Sequence, residues 1–127
     1  KDIEDDALGE KVFLDGFQNK NYINNILLNS SIYLMTSFTE SFGIVLIEAM
    51  SYGIPCIAFS SAEGAQELIE NDKNGYLIDD RDKDEYIEKL EYLIKNENIR
   101  EKMKENCIET SLKFSGENIV KLWFKIL

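Results

Sequence analysis

Residues 32–59 read IYLMTSFTESFGIVLIEAMSYGIPCIAF, and this stretch decides the fold. The short apolar run at 32–35 predicts a strand, and the apolar segment from Gly43 to the breaker Gly53 predicts a helix. The run at 54–59 predicts a second strand, in which a proline near the start is acceptable. A strand, a helix and a strand of these lengths are typical of a parallel crossover.

The same alternation continues on both sides of this stretch. The apolar run at 12–14 predicts an earlier strand, and residues 76–78 predict a later one after the Asn74-Gly75 pair. Short apolar strands without alternation fit a sheet that is buried on both faces. We therefore predict an α/β fold with a Rossmann-like parallel sheet. Helices between these strands are predicted at 65–70 and by the spacing of Ile23, Ile26, Leu27 and Leu28.

Beyond residue 78 the strands end and helical spacing remains. The predicted helices form a helical C-terminal tail, and no linker or repeat divides the 127 residues into two domains. The apolar positions that mark the successive helices are Tyr86, Leu90, Leu93 and Ile94, then Ile99, Met103 and Ile108, and last Ile119, Val120, Leu122, Trp123 and Ile126.

Composition excludes several classes of function. The net charge of −10 argues against nucleic acid as a partner and against a polybasic membrane anchor. The chain has no histidine, so it has no imidazole base, no Ser-His or Cys-His pair and no His-based metal site. Cys56 and Cys107 are too far apart for a CxxC motif, and Cys56 is expected to be a buried small hydrophobe.

Targeting signals are absent from the sequence as given. No apolar run approaches the roughly 20 residues of a membrane span, and no signal peptide opens the chain. These features predict a cytoplasmic protein. The charged first ten residues lead into a strand with no element before it, so we expect the beginning to be cut from a longer domain.

Residues 36–50 hold the most suggestive chemistry. They join the end of a parallel strand to the start of a helix, the edge at which open α/β sheets bind ligands. Gly43 allows close approach to the backbone, and the amides at 42–45 are first-turn donors suited to an anion. Glu48 is a lone carboxylate in an apolar helix and calls for hydrogen-bond donors.

Each of these features also has a purely structural explanation. Glu40 could serve only the helix dipole, and Ser41 could be only an N-cap. Glu48 could pair inside the fold, and Gly43 could serve helix–strand packing. Their coincidence at one strand–helix edge favours a ligand site.

The spacing of Glu40 and Glu48, with seven residues between them, matches a known motif. Together with Gly43 and the turn at 53–55, it resembles the E-x7-E motif of retaining GT-B glycosyltransferases of the "group 1" family. The upstream run at 12–17 and the downstream Asn-Gly-Tyr-Leu-Ile at 74–78 fit the same family, so the resemblance covers residues 12–127. The fold it implies is the C-terminal half of a GT-B nucleotide-sugar-binding domain.

The resemblance implies a role for each matched residue. Glu48 would bind the ribose hydroxyls of the donor, while Glu40 would lie beside the anomeric carbon as the candidate catalytic residue, through donor positioning. The implied reaction transfers a hexose with retention from a nucleotide sugar, with a UDP-sugar as the expected donor and with no metal and no cofactor. The remaining donor-binding candidates are Ser37, Ser41, Phe42, Gly43, Ile44 and Val45, with Gly16 and Phe17 near the base.

The resemblance also implies partners. Residues 1–127 would be part of one donor-binding domain without its N-terminal acceptor domain, and this chain alone is expected to be inactive. The full enzyme would be cytoplasmic and able to associate with the inner face of the membrane. A terminal helix with Trp123, Phe124 and Leu127 would either pack on this domain or promote self-association.

One departure and one alternative accompany this interpretation. The loop at 60–67 departs from the family's Gly-Gly-x-x-Glu pattern, with Gly64 expected in a turn and Glu67 opening the next helix. The alternative function is a non-catalytic nucleotide-sugar-binding or scaffolding subunit of a split glycosyltransferase. A receiver domain is disfavoured because no acidic pair follows the first strand.

Overall fold

A computed structural model describes residues 20–36 and 44–114, in which strands and helices alternate as predicted. The strand predicted at 12–14 and the terminal helix predicted near 119–126 lie outside these residues. The strands are β1 (Tyr33–Leu34), β2 (Cys56–Phe59) and β3 (Gly75–Ile78). The helices are α1 (Lys20–Leu28), α2 (Ile44–Ser51), α3 (Glu63–Leu68), α4 (Lys83–Lys95) and α5 (Glu97–Lys113).

The described strands form one parallel sheet in the order β1-β2-β3. Leu34 pairs with Ile57, and Phe59 pairs with Ile78. The register brings the carboxyl ends of the strands to one edge and their amino ends to the other. The predicted α/β class with a parallel sheet is therefore confirmed.

The core lies around β2, whose residues Cys56–Phe59 are all buried. This burial confirms the interpretation of its unalternating apolar run. Helix α2 contributes the buried Leu46, Ala49 and Met50 and packs against α3 and α5. Helix α5 supplies the buried Met103 to the same core.

Some of the apolar residues that mark the predicted helices are exposed. Leu27 of α1 is buried, whereas Ile26 and Leu28 are 47% and 68% exposed, and Ile94 of α4 is 58% exposed. Only one face of each helix packs on the sheet, so neighbouring apolar residues turn away from it. The helical spacing of these residues predicted the helices, and the structure shows which of them lie on the buried face.

The helix between β2 and β3 begins and ends two residues earlier than predicted. It runs over Glu63–Leu68, so Gly64 lies inside the helix and Glu67 is near its end. The chain then turns through Asp72, whose φ of 67° is left-handed, before β3 begins. The expected turn at Gly64 and the expected helix start at Glu67 are both incorrect.

Asn74 organises the amino edge of the sheet and is 1% exposed. Its side-chain amide donates to the carbonyl of Leu68 at 2.9 Å and to the hydroxyl of Thr110 at 3.0 Å. Its side-chain oxygen accepts from the amide of Glu70 at 2.9 Å. The β2–β3 connection is thereby tied to α5, and the buried amide is fully used.

Both thiols lie in this buried region. The amide of Cys56 and the Sγ of Cys107 both donate to the carbonyl of Asn74, at 3.4 and 3.3 Å. Burial raises the pKa of the Cys107 thiol to about 12, and burial with the neighbouring thiol raises the pKa of Cys56 well above its usual range. Both cysteines are free and buried, which confirms the expectation for Cys56.

Helix α4 has conventional ends. The Asp82 side chain accepts from the amide of Glu85 at 3.0 Å and caps the N-terminus. At the other end, the guanidinium of Arg100 donates to the carbonyls of Leu93 and Ile94. Arg100 thereby satisfies carbonyls that the helix leaves without partners.

None of the helices within residues 20–36 and 44–114 is long and apolar enough to cross a bilayer.

Candidate functional site

The carboxyl edge of the sheet is the candidate site. The chain leaves β1 at Met35, β2 at Phe59 and β3 at Ile78. Three connections therefore start at one edge, the position at which open parallel sheets bind ligands. The sequence-predicted site belongs to the first of them.

Helix α2 presents the described part of that site. It begins at Ile44, so the amides of Ile44 and Val45 are first-turn donors, as predicted from the sequence. Leu46, Ala49 and Met50 face the core, whereas Val45 is 39% exposed. Glu48 is half-buried and lies three residues after Val45, on the same side of the helix.

Glu48 lies close to the helix start. It is the fourth residue after Ile44, and four residues of an α-helix rise by about 6 Å along the axis. Its backbone carbonyl accepts from the hydroxyl of Ser51 at 2.6 Å. An acidic side chain thus lies one turn from the amides that begin the helix.

The other sequence-predicted site residues lie outside the described part of the chain, and their roles stay predictions. They are Gly16, Phe17, Ser37, Glu40, Ser41, Phe42 and Gly43.

The connection after β2 is held by hydrogen bonds. The amide of Ser60 donates to the carbonyl of Ile78 at 2.7 Å, and the side-chain amide of Gln66 donates to the carbonyl of Ser60. The hydroxyl oxygen of Ser61 is buried without a hydrogen-bond partner among the described residues. The loop that departs from the family's pattern is thus a hydrogen-bonded turn, in which the Ser61 hydroxyl has no hydrogen-bond partner among the described residues.

Tyr86 of α4 is a residue that sequence reasoning treated only as core. Its hydroxyl donates to the carbonyls of Met35 and Ile57, both at 3.0 Å, and so links the end of β1 to the neighbouring strand β2. Its ring packs on Phe59 with centroids 4.8 Å apart. Burial raises the pKa of Tyr86 to about 12.

A cleft of about 330 Å³ opens beside this residue. Its walls are mainly apolar, with two cations at the start of α4. It is lined by Thr36, Phe59, Arg81, Lys83, Tyr86 and Ile87.

Comparison with known proteins identifies the family of this chain. The model of the family "Glycosyl transferases group 1" matches residues 1–110. This chain belongs to that family. Among its relatives is the poly(ribitol-phosphate) alpha-N-acetylglucosaminyltransferase of Staphylococcus aureus, 33% identical over 130 residues that cover 99% of this chain and 25% of the relative.

Solved structures show the same fold. The C-terminal domain of the glycosyl transferase group 1 family protein LpcC from Francisella tularensis has a TM-score of 0.77 and 26% identity, over 88% of this chain and 57% of that one. The pneumococcal O-GlcNAc transferase GtfA, in complex with UDP and GlcNAc, has a TM-score of 0.80 and 29% identity over 98% of this chain and 25% of its own.

The group 1 chain described here is much shorter than its curated relatives. It spans 28%, 25% and 18% of the length of three of them. The substrates and partners of a whole protein are therefore matters for proposal.

Proposed function

We propose that this chain is the donor-binding part of a retaining glycosyltransferase that transfers a hexose from a UDP-sugar to a glycan, lipid or other acceptor. The observation that carries the proposal is the half-buried Glu48 on α2, one turn from the start of that helix. In this proposal residues 1–127 are one part of the donor domain, and an N-terminal acceptor domain completes the enzyme.

Glu48 suits a ribose ring for a chemical reason. An ionised carboxylate only accepts hydrogen bonds, and its two oxygens match two neighbouring hydroxyl groups. Its position beside the exposed Val45 leaves it on the side of α2 that is turned from the core. A vicinal diol can approach this side, whereas the opposite side packs against α5.

The amides of Ile44 and Val45 would face the donor's diphosphate. They lack acceptors within the helix, and the positive end of the helix dipole favours an anion there. The transfer would then depend mainly on electrostatic stabilisation of the departing diphosphate. Glu40 would position the transferred sugar without acting as a nucleophile, and no metal or cofactor is invoked.

Relatives support the choice of donor and acceptor classes. GtfA is seen with UDP and GlcNAc, and the Staphylococcus aureus relative is named for a polymer acceptor. We infer a UDP-sugar and a role in polysaccharide synthesis on the cytoplasmic side, with the intact enzyme able to associate with the membrane. The 127 residues alone are expected to catalyse no transfer, because most of the relatives' length is missing.

Ligand-observed NMR tests the proposal. The chain is titrated with UDP-, GDP- and ADP-sugars, alongside Glu48→Gln and the matched control Glu67→Gln on the exposed side of α3. We expect weak binding of a UDP-sugar that falls at least about tenfold in Glu48→Gln, since charged hydrogen bonds are worth roughly 1.5–3 kcal/mol each. Glu67→Gln should bind as the wild type does.

Three results would each contradict a part of the proposal. Equal affinities for wild type and Glu48→Gln would remove Glu48 from the donor site. Preference for another nucleotide would overturn the choice of UDP while keeping the donor-binding role. Measurable glycosyl transfer by the 127 residues would contradict the expected inactivity of this chain alone.

A further inference from the structure

We propose that Tyr86 is a positioning residue for donor binding: its single hydroxyl ties the carbonyl of Met35, at the carboxyl end of β1, to the carbonyl of Ile57 within β2, next to the sheet edge from which the donor site is built. The inference rests on the proposed function of this edge. Nothing in the E-x7-E motif includes Tyr86, which lies 38 positions after Glu48 on a helix of the C-terminal tail.

The geometry gives Tyr86 an unusual reach. Its hydroxyl lies 3.0 Å from the carbonyl of Met35 and 3.0 Å from that of Ile57, on neighbouring strands. A phenol has one proton, so one donor is shared between two backbone acceptors. The side chain is 6% exposed, and water therefore competes poorly for these carbonyls.

The strand that Tyr86 holds is short. Strand β1 has only two residues. The described backbone bonds beside it include one from the amide of Tyr33 to the carbonyl of Pro55 at 3.0 Å and one from the amide of Met35 to the carbonyl of Ile57 at 2.9 Å. The Tyr86 hydroxyl adds a side-chain bond to these backbone bonds at the end of β1. Thr36 follows immediately, and the predicted donor-binding sequence begins at the next residue.

The ring fixes the direction of the hydroxyl. It packs on Phe59 at the end of β2, with the two planes tilted by 32°. Helix α4 also packs on β2 and β3, so the phenol is carried by an element that contacts the rest of the sheet. Tyr86 thereby holds the end of β1 in position relative to the end of β2.

A buried tyrosine hydroxyl could also serve stability alone, and Tyr76 provides the matched control. Tyr76 is 2% exposed, and its hydroxyl donates to a carboxylate oxygen of Asp72 at 2.9 Å, in the turn before β3. Tyr76→Phe and Tyr86→Phe each remove one oxygen from a buried ring. A purely structural role predicts that the two changes act alike on donor binding at equal stability.

The experiment compares wild type, Tyr86→Phe and Tyr76→Phe in the 127-residue chain. UDP-sugar affinity is measured by NMR titration, and thermal stability is measured as the melting temperature. Amide hydrogen exchange is measured at Met35 and Cys56. We expect Tyr86→Phe to weaken binding by about threefold to tenfold, the range for one lost hydrogen bond. Exchange at the Met35 amide should accelerate by a similar factor relative to Cys56.

Tyr76→Phe should leave both the affinity and the Met35 exchange unchanged. Equal affinity of Tyr86→Phe and wild type would overturn the positioning role, as would an equal loss in Tyr76→Phe at the same melting temperature. Failure of the wild type to bind any nucleotide would defeat the proposed function, and the positioning role with it. Exchange at Met35 would still report whether the hydroxyl holds the strand end.

Discussion

The two edges of the sheet are held in different ways. At the amino edge, side chains from distant segments converge on Asn74, and two buried thiols share the same region. At the carboxyl edge, connections rest on backbone bonds such as Ser60 to Ile78 and on the one hydroxyl of Tyr86. Among the described residues the amino edge has the larger side-chain network, so we expect changes there to cost more stability than changes at the carboxyl edge.

Substitution of Gly75 tests the amino edge most severely. A methyl group there would lie 2.0 Å from the carbonyl oxygen of Cys56, which is backbone of the paired strand. We expect Gly75→Ala to lower the free energy of unfolding by about 3 kcal/mol or more. Urea denaturation measures the change through the midpoint at constant slope.

Gly53→Ala is the control for this prediction. Gly53 has a φ of 78°, but its added methyl would meet the flexible side chain of Lys104 at 2.5 Å. Backbone strain alone should cost about 1–2 kcal/mol. A larger loss of unfolding free energy at Gly53 than at Gly75 would show that the β2–β3 contact is not the most closely packed contact of the amino edge.

Asn74→Ala is the next largest change. It removes partners from the buried carbonyl of Leu68 and the amide of Glu70, so we expect a loss of about 2–3 kcal/mol in unfolding free energy. Asn106→Ala is matched in chemistry, because that amide donates to the carbonyl of Lys73 at 2.9 Å in an exposed bond. Equal losses in chemical denaturation would contradict the central place given to Asn74.

Alkaline pH should weaken the same edge. The Cys107 thiol keeps its proton up to about pH 12 in the folded chain, against a reference pKa of 9.0. Above pH 9 the unfolded chain therefore releases protons first, and stability falls as the pH rises from 9 towards 12. From pH 9 to 10 the expected loss in unfolding free energy is about 1 kcal/mol for the Cys107 thiol.

Cys107→Ala should reduce this dependence on pH. The measurement is the midpoint of urea denaturation between pH 8 and 10.5 in both proteins. Parallel pH profiles would mean that the Cys107 thiol ionises equally well in the folded chain. Below pH 8 neither thiol should affect how the stability depends on pH.

The smallest effect is expected at the carboxyl edge. Gln66→Ala removes the side-chain bond to the carbonyl of Ser60 from an exposed position. We expect a change of about 0.5 kcal/mol or less in unfolding free energy, as for most surface substitutions. A loss comparable to that of Asn74→Ala would erase the difference between the two edges.

Local pattern predicted the elements of the fold well. The apolar run at 54–59 predicted β2 because a strand buried on both faces needs no alternation. The segment from Gly43 predicted α2, which begins at Ile44. At the candidate site, the structure places Glu48 and the amides of Ile44 and Val45 in α2, while the donor-binding roles of Glu48 and Glu40 stay predictions.

Long-range contacts could not be predicted in this way. The bond from Asn74 joins residues 36 positions apart, and the bond from Tyr86 to Met35 joins residues 51 apart. Periodicity shows that Tyr86 faces inwards, but it does not show which carbonyl its hydroxyl meets. Periodicity also does not tell how wide the buried face of a helix is, and Ile94 of α4 is 58% exposed.

The span of the Tyr86 bond also has a consequence for the order of folding. The bonds from Asn74 to Leu68 and from Glu70 to Asn74 close loops of only a few residues, so this turn can form early. The bond from Tyr86 to Met35 requires that β1, β2 and α4 have already met, and such non-local contacts form slowly. On a nascent chain, the edge proposed to bind the donor would be completed only after α4 has been synthesised, well after the turn at Asn74.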